Sequence, residues 1–315
     1  MTTYWAFGLV VSSDVRLPGA PEIDGAPADC VLALRRGPIE DRPDGRAHRL
    51  RRPNGTVALT IRRVASGYLV RFPGVAVYLV SADGRRVSCA RQRRTHPEAV
   101  GQIFLNHVLP MALSVRGRLV LHASAVDTPH GAVAFLGAAG QGKSTLSASF
   151  VRRAFPLIAD DSLLIADLGG ALGVVPSYPE IRLWPDVLAA LGHDGVELHA
   201  VGPRAGKKRF RVDRGSWPFR RDPVRVRRLY VLGPLAPAAR RPHIGIAAVA
   251  PREAFIELVK HTYRLDLDDR ARLRDEFESI SRIASHPSLV YRLDFPRDLS
   301  RLPAVQAAIL EHCSA

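Results

Sequence analysis

The apolar positions of the first 95 residues recur at a period of two. TVALTIRRV (56–64), GYLVRF (67–72) and AVYLV (76–80) are short alternating or apolar runs separated by Gly, Pro and Asp turns, which predicts a β-rich region. No catalytic constellation appears in it, so it is expected to recognise a substrate or contact a protein. The basic stretch Arg85–Arg94 closes the region. From His96 to Val115 the period changes: Val100, Ile103, Phe104 and Val108 fall at helical spacing, and Pro110 should kink or end that helix. A domain boundary near residue 95 follows, dividing a β-rich domain (1–95) from a second domain (96–315).

Beyond 118 the pattern reads strand, turn, strand: RLVLHASAV, DTPHG, AVAFLG. Length and turn chemistry predict a hairpin. A Gly-rich loop and a helix starting near Lys143 come next. The apolar runs PLIA (156–159) and SLLIAD (162–167) then flank Asp160 and Asp161. Helical patterns are expected at 252–263, 269–285 and 303–313, the first with Ala254, Phe255, Leu258 and Val259 on one packing face. The Ala/Pro/Arg segment 234–242 reads as a loop.

The strand, loop and helix around residue 140 carry a specific chemistry. Gly137, Ala138, Ala139, Gly140, Gln141, Gly142, Lys143 and Ser144 spell G-x-x-x-x-G-K-S between an apolar strand and a helix, with Thr145 next. Glycines let successive backbone N–H groups curl round phosphate oxygens, and the helix adds its positive dipole end. Lys143 would reach the β- and γ-phosphates, and Ser144 Oγ would ligate Mg²⁺. Carboxylates at a strand end beside such a loop offer two roles, holding Mg²⁺ and accepting the proton of an attacking hydroxyl. ATP and Mg²⁺ are the cofactors this implies; a polar β-turn is the plain structural alternative for Asp160 and Asp161.

Charge and composition exclude more than they assign. The 315 residues carry 45 Lys+Arg against 30 Asp+Glu, a net charge of +15, with 47% hydrophobic residues. This is globular composition. No helix-turn-helix, zinc-finger or base-stacking signature accompanies the charge, which argues against a nucleic-acid partner. Only Lys143, Lys207, Lys208 and Lys260 are lysines, so most of the Arg excess is compositional background. No apolar run approaches the roughly 18–20 residues of a membrane span, and the first residues lack a basic signal region, so no membrane partner and a cytoplasmic location are expected. Cys30, Cys89 and Cys313 are odd in number and far apart, and are expected to be free packing residues.

LHASAV, GAAGQGKST and LIADDSLLI together resemble the HPr kinase/phosphorylase family. The resemblance implies an α/β fold: an HPr kinase/phosphoenolpyruvate carboxykinase-like P-loop kinase domain, here with the N-terminal β-rich domain. It implies Asp160 as general base toward a serine hydroxyl, Asp161 as its metal-side neighbour, and His122 near the phosphates. Two departures stand out. Thr145 replaces the family's Glu after the P-loop Ser, and the downstream E-L-R-G-x-G-I-I-N type signature is not recognisable.

A closer resemblance is to the HPr-kinase-related tailoring kinases of lasso-peptide biosynthesis. It rests on YWAFGLVVSSDVRLPGAPE, YPEIRLWPD, KKRFRV, RRLYVLG and YRLDFPRDLSRLP. It implies a serine-containing precursor peptide or protein as substrate, phosphorylated on a terminal serine. HPr kinases are often hexamers, which admits a homo-oligomer. Residues 204–228 hold eleven Arg or Lys against Asp213 and Asp222, a candidate phosphate clamp with Lys208 and Arg209 on the family-like K-R pair. Arg182 is a candidate for a phosphate contact or a buried ion pair. Trp184 and Trp217 could frame a pocket or belong to the core. Two other functions stay open: a phosphocarrier-protein kinase/phosphorylase, and a nucleotide-binding regulator without kinase activity.

Overall fold

A computed structural model describes residues 1–52, 54–192, 198–200, 206–213, 217–233 and 243–315. The expected loop at 234–242, and Arg204 and Arg214 of the basic span, lie outside the described residues. The chain divides into two compact units, 1–120 with 263–275, and 121–262 with 276–315. Both are built on β-sheet, and the second is a mixed α/β unit. No described helix is long and apolar enough to cross a membrane.

The first unit is an eight-stranded sheet of β1 (Thr2–Ala6), β2 (Leu9–Ser13), β3 (Cys30–Leu34), β4 (Pro43–Arg51), β5 (Val57–Val64), β6 (Gly67–Phe72), β7 (Ala76–Ser81) and β8 (Arg86–Arg91). Their order is β1-β2-β3-β8-β7-β6-β5-β4. The three alternating runs of the sequence are β5, β6 and β7, paired antiparallel. The helical segment after residue 95 belongs to this unit: Tyr78 Oη donates to Val100 O at 2.8 Å, and the Phe72 and His107 rings lie 5.8 Å apart.

That segment is not one helix. α1 (Pro97–Ile103) passes through a π-helical turn at Phe104–Val108 into α2 (Leu109–Val115). Pro110 explains the irregularity, because it has no N–H to give to the carbonyl of Asn106, four residues back. Tyr263 Oη donates to that carbonyl instead, at 3.2 Å.

A two-residue strand, β9 (Val120–Leu121), falls at the cut between the units. The second unit then runs through β10 (Ala123–Thr128), β11 (Gly131–Leu136), α3 (Lys143–Val151), β12 (Leu157–Ala159), β13 (Leu163–Asp167), β14 (Leu172–Val175), β15 (Glu180–Leu183) and α4 (Pro185–Leu191). It continues with β16 (His199–Ala200), β17 (Lys208–Arg211), β18 (Val224–Leu232), β19 (Gly245–Ala248), α5 (Pro251–Lys260), α6 (Arg270–Ser285, whose first six residues count with the first unit), β20 (Val290–Asp294) and α7 (Leu302–Ser314).

The expected hairpin is β10–β11, closing on Thr128 opposite Gly131. In its sheet the order is β12-β10-β11-β18-β14-β13, with β20 also beside β18. The strands β11, β18 and β20 run parallel. Ligands of such sheets bind beyond the carboxyl ends of parallel strands, and the Gly-rich loop leaves β11 at that edge.

α3 is buried on every side: Leu146, Ala148, Phe150 and Val151 join a core with Phe135, Tyr230, Leu293 and Ile309, while Ser147 and Ser149 are also buried. Ser149 Oγ returns its proton to Leu146 O at 2.7 Å, the local bond that lets a polar side chain enter the core. A helix enclosed in this way holds its N-terminus in a set position. The three cysteines are free and buried, as expected, and burial pushes the thiols of Cys30 and Cys89 up to about 12.

Candidate functional site

The loop from Gly137 to Gly142 connects β11 to α3, so both elements that a phosphate loop requires are present. Gly142 is the N-cap of α3 with φ 89°, a left-handed conformation that favours glycine, and no side-chain group caps the helix. Beside it, a Cβ added at Gly140 would meet nothing within 4 Å. The start of α3 is thus not capped by a side chain, and there is open space beside Gly140. Gln141 braces the loop from within, its Oε1 accepting from Ala138 N at 2.6 Å. Thr145 is half-buried on the first turn of the helix.

Lys143 is 5% exposed, and its Nζ donates to Gly137 O at 2.7 Å and Ala138 O at 3.3 Å. Burial holds its pKa below the usual lysine value, against the opposing pull of Asp161 and Asp160. The ammonium thus lies folded across the loop carbonyls.

The two aspartates point to different partners. Asp160, at the end of β12, is buried, and its Oδ1 accepts from Ser124 Oγ at 2.6 Å and Ser144 Oγ at 2.8 Å. Its Oδ2 accepts from Arg182 N at 3.1 Å. Burial, then the charge of Asp161, raises its pKa. Asp161 adopts a left-handed backbone conformation, φ 68°, which Asp tolerates better than most residues, and its Oδ2 meets Arg182 Nη2 at 2.8 Å. Burial works against its charge, but Arg182, His122, Lys207 and Lys143 outweigh that and hold it below the usual carboxylate range.

His122 joins the same cluster. Its Nδ1 lies 2.9 Å from Asp161 O, and since a carbonyl only accepts, Nδ1 carries the proton. Burial and the charge of Lys143 lower its pKa. Behind it, His122 N donates to His261 O at 2.6 Å, with the two rings 6.5 Å apart.

Of the sequence candidates, the fold therefore brings together Lys143, Ser144, Asp160, Asp161, His122 and Arg182. Arg182 forms the buried ion pair of its two expected roles. Lys208 is exposed on β17, and it is the preceding Lys207 that acts on Asp161 and Lys143. Arg209 is buried and pairs with Glu180 at 3.3 Å. Trp217 is in the core, edge-on to Phe210 at 4.8 Å, whereas Trp184 is 48% exposed.

Ser124 and Glu180 are the members that sequence reasoning missed. Ser124 stands two residues after His122 in LHASAV. Glu180 shares a strand face with Arg182, two residues on, and that alternation within PEIRL was the available signal. Glu180 is buried, with Arg209 at 3.3 Å and Arg182 at 3.9 Å.

No protein-family model matches the chain, and no curated protein matches it. Among solved structures, the Hpr(Ser) kinase/phosphatase from Coxiella burnetii is similar over 62% of this chain and 97% of that one, at 15% identity and a TM-score of 0.31.

Proposed function

We propose that the protein is an ATP-dependent phosphotransferase that moves the γ-phosphoryl group to a serine hydroxyl of a peptide or protein. One observation carries the reading: the Lys143 ammonium and the Ser144–Asp160 hydrogen bond meet at the uncapped start of α3. A loop Lys, a loop Ser and a strand-end Asp are the donor set for a nucleotide polyphosphate with Mg²⁺, and the open space beside Gly140 leaves room for it. Ser144 and Asp160 would hold Mg²⁺, which when bound neutralises charge between the β- and γ-phosphates.

The bonding pattern supports exchanging the roles expected of the two aspartates. Asp160 is the carboxylate on Ser144, so the metal side falls to it. Asp161 has the more accessible side chain, 26% exposed, and its charge is kept by Arg182. It is the carboxylate that would orient the acceptor hydroxyl and take its proton. Lys143 would leave the loop carbonyls for the phosphates, and positioning with charge neutralisation would supply most of the rate.

Peptides ending in serine are the first acceptors to try, given the resemblance of the sequence to precursor-peptide kinases. With γ-labelled ATP and Mg²⁺, label is expected on the peptide, lost in Lys143→Met and in Asp161→Asn, with nucleotide binding retained only in the latter. Release of label solely as inorganic phosphate overturns the transfer reading. Full transfer by Asp161→Asn overturns its role as base.

A further inference from the structure

Beyond the loop itself, one cation from a distant part of the chain reaches it. The three parallel strands β11, β18 and β20 end at one edge of the sheet, tied there by Gly233 N donating to Leu293 O at 3.0 Å. The chain leaves β20 through Phe295, Pro296 and Arg297. Asp298 then caps the next turn, accepting from Ser300 N at 2.9 Å. Arg297 Nη2 donates to Gly233 O at 2.9 Å, and its Cζ lies 3.8 Å from the centroid of the buried Phe295 ring. The guanidinium is thus held by a ring on one side and a strand-end carbonyl on another. Its Nη1 lies beside the loop, 3.9 Å from the position a Cβ on Gly142 would take.

Gly142 is the residue from which α3 starts. The dipole end that Arg297 faces is positive, so an anion bound at the helix start would be attracted by both. Arg also supplies a planar fork suited to phosphate oxygens, and this one is already immobilised, so little rotamer entropy remains to be lost on binding.

We propose that Arg297 is a second phosphate-binding cation of the loop, contacting the polyphosphate of the bound nucleotide alongside Lys143. The assignment rests on the phosphate-loop reading above. It adds a residue from beyond β20, about 150 positions after the loop, inside the segment YRLDFPRDLSRLP, whose pattern by itself gives Arg297 no role.

Binding of AMP, ADP and a non-hydrolysable ATP analogue, with Mg²⁺ at constant salt, tests it in the full chain. Wild type, Arg297→Gln and Arg297→Lys are compared. Arg297→Gln is expected to lose about tenfold to a hundredfold in affinity for the ATP analogue, the range of a hydrogen bond to a charged group, while AMP changes less than about twofold. Arg297→Lys keeps the charge without the fork and should also show a reduced ratio of ATP-analogue to AMP affinity, by less. An unchanged ratio in both variants overturns the assignment, as does an equal loss for all three nucleotides, the signature of a base contact or general damage. A wild type that binds none of them overturns the phosphate-loop reading itself, and Arg297 with it.

Discussion

Asp160 can be removed in two ways that separate its structural part from its chemical one. It accepts three hydrogen bonds while buried, from Ser124, Ser144 and the Arg182 backbone. Asp160→Ala takes the acceptor from a buried N–H and two buried hydroxyls. The hydroxyls can turn to other acceptors but the N–H cannot, so the cost should be about 2–4 kcal/mol. Asp160→Asn can turn its carbonyl oxygen to the Arg182 N–H and donate its NH2 to the two serine oxygens, which accept as well as donate, and it removes a charge that burial disfavours.

The sign follows from the raised pKa. A carboxyl whose pKa is higher folded than unfolded gives its full contribution below the unfolded value and loses it as pH rises through the folded one. At neutral pH the charge therefore weighs against the fold, and Asn should be within about 1 kcal/mol of wild type. In a unit of this size each kcal/mol moves Tm by about 2–4 °C, so Ala should melt lower by about 4–15 °C and Asn within about 4 °C.

Thermal melts of the three proteins, without ligand and with Mg²⁺ plus a non-hydrolysable ATP analogue, give both readings. Ligand at a hundred times Kd adds about 2.7 kcal/mol, or about 5–10 °C. Wild type should show this shift with a Mg²⁺-dependent increment, and Asp160→Asn should lose the increment. If Ala melts with Asn, Asp160 is not the acceptor that organises the site; if Asn keeps the full increment, it is not on the metal side.

Two further outcomes follow from the same cluster. Burial, with the charges of His122 and Lys143, pulls His261 down from 6.5 to about 4, so its contribution to stability is present above 6.5 and lost as pH falls through 4. The drop corresponds to about 3 kcal/mol, and urea melts between pH 7 and pH 4 should show a flatter acid limb in His261→Gln; an identical limb would refute it. Glu180→Ala should cost about 3–5 kcal/mol in a denaturant melt, because it leaves Arg182 and Arg209, opposite one another on β15 and β17, without the carboxylate between them. A loss under about 1 kcal/mol would show that the pair is screened.

How much of this could be read beforehand depended on the range of the interaction. The Gly-rich loop, its strand and its helix span 21 residues from Gly131 to Val151, and their pattern is local: a run of apolar residues, glycines where the backbone must turn, then a helix. The β10–β11 hairpin and the starts of α5 and α7 were legible for the same reason. Pro110 announced an irregular helix. Its form, a π-helical turn with Tyr263 serving the Asn106 carbonyl, depended on a residue 157 positions away.

The sequence by itself determined that a G-x-x-x-x-G-K-S loop joins a strand to a helix and that two carboxylates follow it within one helix and one strand. The tertiary structure decided which partners each carboxylate meets. Adjacent aspartates are interchangeable in a pattern of residue types, but Asp160 ends a strand and faces Ser144, while the left-handed turn at Asp161 sends the next carboxylate to Arg182. It also decided which of the many cations lie beside that loop. With 41 of 45 basic residues being Arg, composition marks none of them. Selection among them is made by the sheet, which brings the ends of β11 and β20 to one edge and so sets Arg297 beside Gly142. Backbone pairing across distant segments is set by the burial of whole strands, and no local pattern contains it.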